Sequence, residues 1–190
     1  SALISVHNEE DQLAECLERL RFADEIVILL DKCTDRSRNI AEKFTSQIHE
    51  GDWALEGERR NIGIEYCNGQ WIFEIDADER VSEALADEII KTVETTSFDW
   101  HEVLVDNYIG NRLVRWGWGA SFGKAAYPGL FRKGAKLWGA QRVHPSLKWS
   151  GKKGPMLNNR LEHYVDENIS DMLRRLDNYS TARAQDLRDA

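Results

Sequence analysis

Trp71-Ile72-Phe73-Glu74-Ile75-Asp76-Ala77-Asp78-Glu79-Arg80 is the stretch whose reading decides the fold. A short apolar run ends in four charged residues out of the last five. The run has the length and the aromatic, β-branched content of a buried strand. Asn68-Gly69 before it signals a turn, and Ser82 after it can cap a following helix. Asp76 and Asp78 thus fall at the carboxyl end of a central strand, where open α/β sheets bind ligands. Residues two apart on a strand face one side, so both carboxylates can address one site. Two like charges that close repel unless a cation lies between them. Mg²⁺ takes one or two carboxylates and completes its octahedron with phosphate oxygens and water. The stretch fits a metal–diphosphate site. It fits an acidic turn in solvent as well, because Asp-x-Asp alone is a common pattern.

Upstream of this strand, short apolar runs at 3–6, 25–30 and 47–49 alternate with helical patterns. Leu13, Leu17 and Leu20 recur at helical spacing, as do Ile40, Ala41 and Phe44 behind a cap at Thr34 or Asp35. Residues 58–67 read as a further helix. The first half is therefore β-α-β-α-β-α-β, the pattern of a parallel, doubly wound sheet with helices on both faces. Downstream, Leu85, Ile89 and Val93 mark one amphipathic helix and 102–105 a strand. Residues 107–139 are rich in Gly, Trp and Arg with little period, except for a short strand at Leu130-Phe131-Arg132. Irregular chain of that length usually serves as a lid or binding region. Residues 1–106 read as the ligand-binding α/β half, and 107–190 as a C-terminal extension of the same domain.

The bulk composition narrows the function. A chain of 190 residues with seven tryptophans can bury a sizeable core. A net charge of −8 argues against general nucleic-acid affinity, so a phosphate-bearing ligand needs a local device such as a metal or a few arginines. Cys16, Cys33 and Cys67 have neither metal-ligand spacing nor an even count, which makes a reducing cytosol the simplest setting. There is no signal peptide and no apolar run near the length of a membrane span. The chain opens almost inside a strand without an initiator Met, so it reads as part of a longer protein.

Glu9 and Asp31 follow the first and second strands and share the sheet edge of Asp76 and Asp78. Acids at three strand ends could accept from ribose hydroxyls and a base N–H. Asp35 reads more simply as a helix cap. In Arg59-Arg60-Asn61 an arginine can pair with an acid or touch a base or phosphate. Trp116, Trp118 and Trp138 could stack on a sugar ring or fill core. His144 and His163 are candidates for proton transfer or metal ligation, and each could equally be structural. Gly-x-Ser-x-Gly, Walker-type and Gly-x-Gly-x-x-Gly signatures are missing from the sequence.

Taken in order, several segments resemble the family 2 glycosyltransferases of the GT-A fold. The small bacterial enzymes that build lipopolysaccharide core and other envelope glycans are the most similar. The segments are Ser5-Val6-His7-Asn8-Glu9-Glu10, Leu30-Asp31-Lys32-Cys33-Thr34-Asp35-Arg36, Arg60-Asn61-Ile62-Gly63 and Ile75-Asp76-Ala77-Asp78-Glu79-Arg80. Further pieces are Tyr108-Ile109-Gly110, Arg115-Trp116-Gly117-Trp118, Leu130-Phe131-Arg132-Lys133-Gly134, Val143-His144 and Leu161-Glu162-His163-Tyr164. The resemblance implies a nucleotide-sugar donor, a UDP-sugar first among them, and inverting transfer to an envelope glycan or glycolipid. It implies that Glu9 and Asp31 hold the nucleoside with His7 and Asn8 beside them, and that Arg60 and Asn61 lie against base or ribose. Asp76 would meet ribose or metal. Asp78 would bind Mg²⁺ or Mn²⁺, with His163 a further ligand candidate, and the three tryptophans would face the acceptor.

The sequence departs from the pattern at one place. Related transferases often carry Glu straight after the Val-His pair, and Pro145 stands there in this chain. His144 and Asp106 are the remaining candidates for the general base. The departure also keeps open a rival of another class, a nucleotide-sugar-binding module without transfer activity. A nucleotidyltransferase would be expected to show a Gly-rich phosphate loop after the first strand, and His7-Asn8-Glu9-Glu10 is not one. Finally, Ile169, Met172, Leu173, Leu176 and Tyr179 form a helical stripe that suits packing on the domain or on a second copy in a homodimer. With Arg174 and Arg175 alongside, the stripe also suits peripheral contact at the inner face of the cytoplasmic membrane, against which Asp171 and Asp177 weigh.

Overall fold

The computed structural model describes the chain except residues 117–122, 142–144, 167 and 190, and except the side chains of 178, 179, 182, 183, 185–187 and 189. Four short strands open it: β1 (Ala2–Val6), β2 (Ile26–Asp31), β3 (Ile48–Gly51) and β4 (Trp71–Asp76). They pair in parallel in the order β3-β2-β1-β4. The register sets Val6 against Leu30, Asp31 against Gly51 and Ser5 against Asp76, so the carboxyl ends finish level. That level edge is where the turns carrying His7 to Glu9, Asp31 and Asp76 to Asp78 come together.

Helices cover both faces, because the central strands are apolar on both sides. α1 (Leu13–Glu18), α2 (Ser37–Ala41) and α4 (Glu83–Thr95) pack Leu13, Cys16, Leu17, Ala41, Leu85 and Ile89 against Ile4, Ile28 and Ile75. α3 (Glu56–Tyr66) covers the other face, where Leu3, Val27, Leu29 and Ile72 meet Ile64 and Phe131. Gly63 lets α3 lie this close, since a Cβ there would come within 2.7 Å of methyl carbons of both Leu3 and Leu29. Ser82 caps α4 as expected, its Oγ accepting from the Leu85 N–H at 3.2 Å. At α2 the N-cap position falls to Arg36 without a side-chain cap, rather than to Thr34 or Asp35. Asp35, one residue earlier, accepts from the Ser37 N–H at 3.0 Å and the Glu10 N–H at 2.9 Å, tying the start of α2 to the turn after β1.

The second half is more regular than its composition suggests. β8 (Ala126–Arg132) pairs antiparallel with β4, and β6 (Trp100–Ile109) pairs antiparallel with β8. β11 (Arg160–Asp166) then lies parallel to β6, and the two-residue β5 (Glu79–Arg80) closes the edge against β11. β7 (Arg112–Leu113) folds back on β6, while β9 (Lys136–Trp138) and β10 (Leu147–Trp149) form a separate hairpin. The division drawn at 106/107 therefore falls inside β6, and both halves contribute to one sheet. The strand expected at 102–105 runs to ten residues, and β11 has no counterpart in the reading of the sequence. Its residues beyond Leu161 are all of intermediate burial, and polar residues interrupt it, so it has no apolar run to announce it.

α5 (Ile169–Asp189) ends the chain. Of the stripe on it, Met172 is buried, whereas Ile169, Leu173 and Leu176 are exposed. No described helix is long and apolar enough to cross a membrane.

Candidate active site

A cavity of about 870 Å³ opens at the carboxyl ends of β1 and β4. His7, Glu9, Arg59, Arg60, Asp76, Asp78, Trp138 and His163 all line it. The sheet gathers them from turns and strands spread along the chain, which is the logic of a strand-end site.

Asp76 is the last residue of β4, and Asp78 sits two residues on in the turn before β5. Their environments differ. Arg60 donates to Asp76 Oδ1 at 3.0 Å, and Lys124 Nζ lies 3.3 Å from Oδ2. Burial alone would raise the Asp76 pKa, but these two cations outweigh it and hold the carboxyl well below the usual range. Among the described residues Asp78 has no lysine or arginine partner of this kind. Its Oδ2 stands 3.2 Å from His163 Nε2, and its Oδ1 is buried with no hydrogen-bond partner among the described residues. His163 is oriented by Asn107, whose Oδ1 lies 2.9 Å from its Nδ1. The turn chain also brings in Glu79, fully buried beside Lys124 at 2.6 Å and accepting from the Asp76 N–H at 2.9 Å.

Glu9 feels the uncompensated charge. Burial first, then the charges of Asp78 and Asp76, push its carboxyl up to about 7. The preceding turn holds Asn8 in the left-handed region at φ 56°, with its Oδ1 accepting from the Thr34 N–H at 2.8 Å. Lys32, after β2, is left-handed too, at φ 52°. Non-glycine residues in that conformation collect where structure around a functional edge over-determines them.

A divalent ion is what the resemblance implies here. Among the described residues, no three His, Cys, Asp or Glu side chains are grouped to enclose one. The donor set nevertheless fits an ion that takes most of its ligands from phosphate and water: one buried carboxylate oxygen without a partner, and an imidazole nitrogen at its side. Asp78 and His163 would hold it. Asp76 is already neutralised by protein cations.

Several expected residues have other work. Arg60 reaches beneath the cavity to Glu74 and Glu56 as well as Asp76. Asp31 accepts from Arg59 at 2.7 Å, and its backbone oxygen lies 2.7 Å from His7 Nδ1. Asn61 does not face the cavity: it clamps the Trp138 backbone, donating to its carbonyl and accepting from its N–H, both at 2.9 Å. Asp106 is also set apart from the cavity, on the opposite face of β6 from Asn107, where Arg115 and Arg160 bind it at 2.8 and 3.3 Å. A carboxylate tied to two guanidiniums and pointing away is a poor base for this site. Trp116 is 87% exposed and off the cavity, whereas Trp138 is on it. Trp118 and His144 lie outside the described residues. Pro145, next to His144, does line the cavity.

The reading of the sequence passed over Lys124, Lys136, Asn107 and Glu74. Lys136 Nζ meets Glu74 Oε2 at 2.7 Å, both buried, beside Trp138. Glu74 carried a usable signal: a lone carboxylate inside an apolar central strand has to be paired. Nothing local marks Lys124 or Asn107.

A parallel β3-β2-β1-β4 sheet, an antiparallel β8 beside β4 and an acid pair at the end of β4 make an α/β fold of the GT-A type. The chain belongs to glycosyl transferase family 2, whose family model matches residues 1–142. It is similar to the lipopolysaccharide core biosynthesis glycosyltransferase LpsC of Rhizobium meliloti, at 25% identity over 197 aligned positions covering 97% of this chain and 70% of that protein. It is also similar to the putative glycosyltransferase EpsH of Bacillus subtilis, at 31% identity over 118 positions, 57% of this chain and 33% of that one. Among solved structures, S. aureus TarS 1–349 shares the fold, with a TM-score of 0.63, 13% identity, and coverage of 86% of this chain and 59% of TarS 1–349.

Proposed function

We propose that the chain moves a sugar from a nucleoside-diphosphate sugar, a UDP-sugar first, to an envelope glycan or glycolipid, with inversion and with Mg²⁺ or Mn²⁺ at the diphosphate. The observation that carries this is Asp78: a buried carboxylate oxygen without a partner among the described residues, beside an imidazole, in the cavity at the end of the central strand. Two of the TarS structures of the same fold are complexes, one with UDP and one with UDP-GlcNAc, which supports the donor class. The role of LpsC in lipopolysaccharide core synthesis supports an envelope acceptor.

In this reading the nucleoside lies along the edge formed by Glu9, His7 and Asp31. Arg59 at Oδ2 and the Trp53 N–H at Oδ1 fix the Asp31 carboxylate, and a base N–H would take a further lone pair. The diphosphate lies toward Asp78 and His163. A bound divalent ion supplies positive charge as the nucleoside diphosphate leaves. Trp138 gives the sugar an apolar face, and the acceptor enters from the side walled by Pro145 and α5. His144, which precedes Pro145 in the sequence, takes the proton of the acceptor hydroxyl.

Calorimetric titration of UDP, UDP-sugars and other nucleoside diphosphates, with Mn²⁺ and with EDTA, tests the reading. Metal-enhanced binding of a nucleoside diphosphate is expected. Indifference to every nucleotide would overturn it.

A further inference from the structure

The acid edge has a built-in cation that neither the family resemblance nor the strand pattern assigns. Lys124 reaches it from two residues before β8. Its Nζ lies 2.6 Å from Glu79 Oε1, 3.3 Å from Asp76 Oδ2 and 4.2 Å from the centre of the Tyr127 ring, and it lines the cavity. Its position is held from behind. Asn107 donates to the Lys124 carbonyl at 2.9 Å while its Oδ1 meets His163, which in turn meets Asp78. Gly123 permits this approach, because a Cβ there would fall 2.2 Å from the Asn107 side chain. One network thus fixes the lysine and the Asp78–His163 pair together.

We propose that Lys124 binds the diphosphate of the donor directly, as a protein-supplied cation alongside the Asp78–His163 position. The proposal rests on the nucleotide-sugar reading above. Asp76 alone does not require the lysine, since Arg60 already pairs with it at 3.0 Å. Burial works against a charged lysine here, and the Glu79 and Asp76 charges outweigh it, so Lys124 stays ammonium at any physiological pH. An ammonium is a compact point charge with three donors on a flexible stem. Two acids occupy part of that capacity, and the cavity side remains for a phosphate oxygen. Sharing the leaving-group charge between a lysine and an ion predicts that nucleoside-diphosphate binding survives partly without metal.

The test titrates UDP and uridine into the native chain, Lys124→Gln and Lys124→Arg, each in saturating Mn²⁺ and in EDTA. The native chain should prefer UDP to uridine even in EDTA. Lys124→Gln should cut that preference at least roughly ten-fold in EDTA, and by less in Mn²⁺, with uridine affinity within about two-fold of native. Lys124→Arg should restore most of it. An unchanged UDP-to-uridine ratio in Lys124→Gln, or loss of the native preference in EDTA, would overturn the proposal while leaving the nucleotide site intact. If the native chain binds neither UDP nor uridine, both readings fall. Should Lys124→Gln not fold, lysine side-chain NMR of the native chain decides. The Lys124 signal, assigned by its loss in Lys124→Arg, must shift with UDP and stay in place with uridine.

Discussion

Asp78 Oδ2 and His163 Nε2 stand 3.2 Å apart although 85 residues of chain separate them. The contact exists because β5 pairs with β11, setting Glu79 against His163 in the ladder. Asp78 is thereby turned toward the cavity beside an imidazole rather than toward solvent.

The first prediction concerns this pair. Asp78→Asn should abolish the enhancement of UDP affinity by Mn²⁺ while the melting temperature in EDTA stays near native. His163→Ala should weaken Mn²⁺ binding by about 10- to 100-fold, the usual cost of disturbing a ligand or its immediate support. Calorimetry with Mn²⁺ alone and with UDP checks both.

Glu9 should make stability fall with rising pH. Its folded-state pKa is about 7 against an ordinary 4.5, so the folded chain binds the extra proton between those values. Unfolding then releases protons, and stability declines as pH rises from about 4.5 to about 7. Glu9→Gln should match the native chain at pH 4, below both values, and be more stable at pH 8 in EDTA. Denaturant titrations at the two pH values measure this. Equal stability at pH 8 would show that the carboxylate is not under the expected strain.

Asp31 and Arg59 form a partly buried pair at 2.7 Å. Asp31→Ala should weaken nucleoside monophosphate and nucleotide-sugar binding by similar factors, about 10-fold or more, as for a lost hydrogen bond to a charged group. A loss confined to the sugar-bearing ligand would move Asp31 off the nucleoside.

Asn61 should matter for stability rather than for ligand contact. Asn61→Ala removes two hydrogen bonds to the Trp138 backbone. It should cost about 1–3 kcal/mol of unfolding free energy, because the carbonyl and N–H of Trp138 lose their partner. Urea unfolding followed by tryptophan fluorescence reads the change. A native midpoint would mean that solvent replaces the clamp.

His144→Ala should lower kcat by about 10²- to 10⁴-fold, with donor affinity near native, if the imidazole takes the acceptor proton. The pH profile should lose its limb near an ordinary imidazole pKa of about 6.5. Turnover at the native rate would exclude His144 and reopen the search among groups lining the cavity.

The sequence by itself determined the parallel half. Short apolar runs separated by helical spacing leave few ways to bury both faces of a strand, so β1 to β4 and their helices were legible from pattern alone. The same pattern put Glu9, Asp31, Asp76 and Asp78 on one edge, because in a parallel sheet every strand end points the same way. What the acids do there was decided by tertiary structure. Asp76 and Asp78 look equivalent in the chain, yet one is paired with Arg60 and Lys124 and the other keeps a buried oxygen without a partner among the described residues. Lys124, Asn107 and His163 come from segments with no period of their own, and only the pairing of β8, β6 and β11 brings them together. Asp106 shows the reverse. A one-residue step along β6 puts it on the opposite face from Asn107, with Arg115 and Arg160, and no property of the residue itself reveals which side it takes. Periodicity reports burial on a residue's own element. Charge pairing across 48 to 85 residues, as in Lys124–Asp76 at 48 and His163–Asp78 at 85, is settled only when the strands meet.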